Sequence, residues 1–92
     1  MEKYAARKVK QETDRILWEV WDPIGVNQFA AAQGEYRMYV NGVFELLISG
    51  ATDEAIAQHL LAIVHDRMEL RAARIEHMRP TVEALRAIAL PS

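Results

Sequence analysis

The sequence predicts an all-α fold, a compact bundle of about four helices forming one domain over residues 1–92. Three observations predict it. Apolar residues recur at spacings of three and four along several long stretches, the period of an amphipathic helix. Helix-start and helix-stop residues punctuate those stretches: Thr52-Asp53-Glu54 and Pro80 at starts, Gly50 and Pro91 at stops. A 92-residue chain that is 51% hydrophobic and 26% charged is also large enough for one modest core.

Residues 3–21 read as the first helix. Val9, Thr13, Ile16, Leu17, Val20 and Trp21 form its apolar stripe, with Trp18 at the core edge. Lys8 with Glu12 and Lys10 with Asp14 stand one turn apart, as opposite charges that add only about 0.2–0.5 kcal/mol per pair. The chain then meets Trp21-Asp22-Pro23-Ile24-Gly25-Val26, the hub of the reading. Pro23 pushes Asp22 out of the helical region, and Gly25 permits a turn that a side chain resists. Ile24 and Val26 are expected to pack inward. Asp22 either caps the turn locally or accepts a bond from a distant donor.

Residues 22–35 form a long connection, with a short helical turn within Asn27–Gly34 and Phe29 tucked inward. Residues 35–49 admit two readings. Asn41-Gly42 between apolar runs is a hairpin signal. Tyr36, Val40, Val43, Phe44 and Leu47 also share one helical face, in which Gly42 marks a close helix approach. After the break at Ser49-Gly50-Ala51, Thr52 caps a helix over 53–69 whose buried stripe is Ile56, Leu60, Ile63, Val64 and Met68. Residues 71–78 carry a weaker helical signal. A terminal helix runs from 80 to 89 with Pro80 in its first turn, and Pro91 ends it.

The hub also carries a resemblance. Trp21-Asp22-Pro23-Ile24-Gly25-Val26, then Glu35-Tyr36, Tyr39-Val40, Leu46-Leu47, Gly50-Ala51, Ile56-Ala57 and His59-Leu60 resemble a set of small bacterial proteins of unknown function, the DUF1871 group among them. The resemblance spans Ile16 to Met68. It implies a small four-helix domain and so favours helix over hairpin for 35–49; it supplies no activity. The chain departs from that pattern at Gly34 and Arg37, where acidic residues are usual, at Asn41, where Pro is common, and at Glu69, where a Gly often ends the helix.

Function is constrained mostly by exclusion. A net charge of −2 offers no general support for nucleic-acid binding. With no cysteine there are no disulfides or thiolate metal sites, and a cytoplasmic setting fits. The charged start Met1-Glu2-Lys3-Tyr4 lacks the apolar run of a secretory signal, and no segment is apolar enough to span a membrane. His59, His65 and His77 lack metal-ligand spacing, Ser49 and Ser92 sit in no nucleophile elbow, and no glycine loop cradles phosphate. No metal or cofactor is therefore expected. The leading expectation is a non-catalytic module that binds another protein, of the immunity or antitoxin-like kind. Its binding residues would be Asp22, Glu35, Tyr36, Tyr39 and His59, and its structural hub Trp21, Pro23, Ile24 and Gly25. The middle of the chain carries Asp22, Glu35, Glu45, Asp53 and Glu54 against Arg37 alone, a candidate acidic patch for a basic partner. One alternative is a small ligand-binding or acid–base enzyme domain with a pocket near Asp22, Glu35, Tyr36 and His59. Another is a structural subunit that self-associates, as a homodimer, through the seam from Ile75 to Ala89.

Overall fold

In the computed structural model, which describes residues 2–90, each of four helices packs on two neighbours and the ring closes. Helix α1 (Lys3–Ile16) lies against α2 (Val40–Ile48), α2 against α3 (Asp53–Asp66), α3 against α4 (Arg79–Arg86), and α4 against α1. No strand occurs among the described residues, so Arg37–Ile48 is helical and not a hairpin, with Tyr36 in the preceding turn. The radius of gyration is 12.8 Å. A folded chain of this length is expected near ~12.3 Å, so the helices are drawn together about as closely as in an ordinary folded domain. Among the described residues no helix is long and apolar enough to cross a membrane.

The seam inside the ring is aliphatic. Leu17, Val43, Ile56 and Leu60 are fully buried, with Ile16, Val64 and Leu85 nearly so. Each contributes about 1.5–3 kcal/mol by leaving water. Thr13 is buried among them, and its hydroxyl donates to the Val9 carbonyl one turn back at 2.8 Å, so no polar atom is stranded there.

Helix ends follow the sequence chemistry. Thr52 Oγ1 accepts the Ala55 amide at 3.1 Å, with Asp53 and Glu54 at the positive end of α3. Helix α2 ends in a Schellman motif. Gly50 sits at φ +77°, its N–H bonds the Leu47 carbonyl at 3.4 Å, and the Ala51 N–H bonds the Leu46 carbonyl at 3.0 Å. Arg86 in the last turn of α4 donates to the Asp53 carboxylate and to the Ala51 carbonyl, tying that end to the start of α3.

Several expectations need correction. The helix over 3–21 is α-helical only to Ile16, and Leu17–Trp21 form a π-helical turn. The widened turn keeps Leu17 and Trp21 on the core and rolls Val20 outward to 41% exposure. The pairs Lys8–Glu12 and Lys10–Asp14 do not form. Glu12 pairs with Arg15, Asp14 pairs with Arg37 across the connection, and Lys10 lies 4.9 Å above the Phe44 ring. Helix α2 starts at Val40 after a 3-10 turn over Arg37–Tyr39. Helix α3 stops at Asp66, and Glu69 beyond it takes the left-handed conformation at φ 57°. Within 71–78 only Ile75–Met78 are helical, as a 3-10 turn, and α4 ends at Arg86 rather than 89. Pro91 lies outside the described residues.

Candidate functional site

The corner after Trp21 is built on one carboxylate. The π turn closes through the Asp22 N–H on the Leu17 carbonyl at 3.0 Å, leaving Asp22 left-handed at φ 30°, ψ 59°. Asp and Asn visit this region more readily than other residues with a side chain. From there Asp22 Oδ1 accepts the Tyr36 hydroxyl at 2.6 Å and the Val26 amide at 2.9 Å, while Oδ2 accepts the Asn27 amide at 3.3 Å. The Tyr36 oxygen in turn accepts the Ile24 amide at 3.3 Å. Asn27 Nδ2 donates back to the Trp18 carbonyl at 3.2 Å. Asp22 thus fastens both ends of its own loop and joins it to Tyr36, fourteen residues on.

Aromatic rings back this clamp. Tyr36, 1% exposed, meets the edge of Trp21 at 5.4 Å and a tilted Trp18 at 6.1 Å, and Tyr39 meets Trp21 edge-on at 5.8 Å. Burial, followed by the hydrogen bond to Asp22, pushes the Tyr36 hydroxyl far above its ordinary pKa, so it stays neutral at physiological pH. Trp21 Nε1 is buried without a hydrogen-bond partner, a cost the packing of its ring must offset.

The five predicted binding residues fall in three places. Asp22 and Tyr36 meet directly. Glu35 is exposed beside them. Tyr39 and His59 line a different cleft of about 230 Å³, with Met38, Gly42, Ile63 and Arg67. There the His59 ring lies against Gly42, where a Cβ would sit 3.2 Å from Nε2, so Gly42 does mark a close approach of α2 to α3. His65 Nε2 lies 2.7 Å from the Ala73 carbonyl, and His77 Nδ1 accepts the Arg74 amide at 3.1 Å. No cluster of three metal-ligating side chains exists among the described residues.

Two expectations for the loop are overturned. Ile24 is 41% exposed and Phe29 57% exposed, although both were expected inside. The clamp takes the Ile24, Val26 and Asn27 amides, and backbone turns take the Gly25 and Phe29 amides, so the loop is held by hydrogen bonds and not by burial of these side chains; Val26, between them, is the one packed on the core. The acidic middle is also partly spoken for, since Asp22 is tied into the corner and Asp53 is ion-paired with Arg86. A basic groove between α1 and the start of α2 lies outside the residues singled out from the sequence. Its signal was the spacing of Lys3, Arg7 and Lys10, one helical face. Comparisons with family models, with curated proteins and with solved structures returned no match to this chain.

Proposed function

We propose that the chain is a non-catalytic module that binds another protein through the loop following Trp21, in the manner of an immunity or antitoxin-like partner working in the cytoplasm. The observation that carries this reading is the exposure of Phe29 and Ile24 on a loop whose backbone is fastened by Asp22. Exposed large apolar side chains on a preorganised loop lose little entropy on docking and supply the apolar contact that interface cores use. Tyr36 and Tyr39 act from behind, by bracing Trp21 and the loop. The acid–base alternative is less well supported. Both oxygens of Asp22 already accept hydrogen bonds, and His59 lines another cleft.

Affinity-tagged chain expressed in its source cells tests the reading. Wild type is expected to co-purify with one stoichiometric partner, and an Ile24→Ser/Phe29→Ser variant with unchanged helical circular dichroism is expected to lose it. Recovery of no partner, or equal recovery by both proteins, contradicts the proposal. Kinship with the Trp-Asp-Pro-Ile-Gly-Val proteins belongs to the same proposal. A structure of one of them lacking the left-handed Asp and its bond to Tyr would count against it.

A further inference from the structure

From the grouping of cations along α1, we propose that the groove between α1 and α2 binds an acidic segment of a partner polypeptide. Lys3, Arg7 and Lys10 line one side of a groove of about 460 Å³, and Arg37 closes the other. The four cations face a single carboxylate, Asp14, and that one is taken by Arg37 at 3.3 Å. Lys3, Arg7 and Lys10 have no carboxylate within ion-pair distance among the described residues. A protein with a net charge of −2 therefore presents a concentrated positive surface along one face of α1 from Lys3 to Lys10, beyond the Glu2 carboxylate that caps the helix start on the Tyr4 and Ala5 amides.

The shape of the groove suits a polypeptide. Its floor includes Ala6 and the buried Val40, which gives an extended chain an apolar surface to lie on. Lys3 and Arg7 are separated by about 6 Å along the helix axis, close to the ~6.7 Å between alternate side chains of an extended strand. A Glu-x-Glu pair can therefore meet both. Arg37 is held in place, its guanidinium bonded to Asp14 and lying against Gly34. Gly34 belongs to the connection that carries Phe29. A second depression shares Gln11, Asp14 and Arg37 with the groove and is also lined by Gly34; its one further carboxylate, Glu19, lies 3.5 Å from Arg15. The inference rests on the binding-module reading, which it extends by naming the partner's charge.

Fluorescence anisotropy with a labelled decapeptide, rich in Glu and Asp and carrying two leucines, tests it at low salt. Saturable binding is expected, weakened about tenfold or more by Lys3→Glu/Arg7→Glu and by raised salt. Lys8→Glu/Arg71→Glu, an equal change in net charge away from the groove, should change it less than about twofold. Circular dichroism verifies that all variants are folded. No saturable binding, or equal loss in both double variants, overturns the proposal. So does tighter, Arg7-dependent binding of a single-stranded oligonucleotide or of vesicles containing phosphatidylserine. A concentration-dependent rise in mass abolished by Lys3→Glu/Arg7→Glu would assign the groove to a second copy and likewise overturn it. The peptide is defined in advance, so failure here is distinguishable from failure of the co-purification.

Discussion

Substitution of Asp22 separates the two contributions this residue makes. Asp22→Ala removes the short bond from the buried Tyr36 hydroxyl and the Val26 amide bond, and frees the exposed Asn27 amide to water. Bonds to a charged group are worth about 1.5–3 kcal/mol when a buried partner is stranded, and the solvent-accessible ones far less. Alanine also bears the left-handed backbone at φ 30° without a polar side chain to compensate, a further ~1 kcal/mol. The sum is a loss of about 3–4 kcal/mol, a large share of the ~5–15 kcal/mol a small domain has. Asp22→Gly removes the same bonds but relieves the backbone, so it should cost about 1 kcal/mol less than Ala. Asp22→Asn keeps one acceptor oxygen and tolerates the conformation, so it should be mildest, at about 1–2 kcal/mol. Urea unfolding at neutral pH reads the order from the midpoints, with constant slope as the check on two-state behaviour. A loss below about 1 kcal/mol for Asp22→Ala, or Gly no better than Ala, would refute the reasoning.

Three other perturbations follow from the same geometry. The folded state raises the Tyr36 pKa above its ordinary value of 10.0, so the native chain keeps a proton that the unfolded chain releases. Its contribution is full below pH 10 and falls as pH climbs beyond, and Tyr36→Phe should flatten that decline in alkaline urea melts while costing about 1–2 kcal/mol at neutral pH. Gly42→Ala gains up to about 1 kcal/mol of helix propensity but presses on the His59 ring. The gain should be larger in a His59→Ala background, and equal effects in both backgrounds would show that the contact is slack. Glu69→Gly relieves a left-handed residue at some entropic cost, for a net stabilisation of about 0.5 kcal/mol; a thermal midpoint that drops instead would contradict the assignment.

The bundle could be read from the sequence because its information is periodic and local. The stripe of α3, the Thr52 cap and the Gly50 stop each fix a short stretch of backbone without reference to the rest, whereas the α2 stripe alone left helix and hairpin open. The turn after Trp21 is legible for a related reason, since Pro23 restricts the residue before it and Gly25 takes a left-handed φ of 65° that other side chains resist. What escaped was set by contacts between distant residues. Pattern shows Asp22 as a capping residue but not that its oxygen meets Tyr36. Ile24 and Phe29 stand exposed on a loop held by hydrogen bonds, which hydrophobicity alone predicts wrongly. The π turn is invisible for the same reason, because Val20 fits an α-helical stripe until Asp22 bonds back to Leu17. The basic groove needs Arg37 brought against α1, which no local rule supplies.

Hydrogen exchange at the Val26 amide tests the clamp most directly. This N–H belongs to no helix, and its bond to Asp22 Oδ1 at 2.9 Å is what withholds it from solvent. It should exchange as slowly as amides inside the helices, faster than those only once Asp22 is replaced by Ala, while the neighbouring Asn27 amide shows weaker protection. Exchange of Val26 in the native chain at the rate of an open loop would mean that the carboxylate holds nothing in place, and the loop it is said to present would have no fixed form.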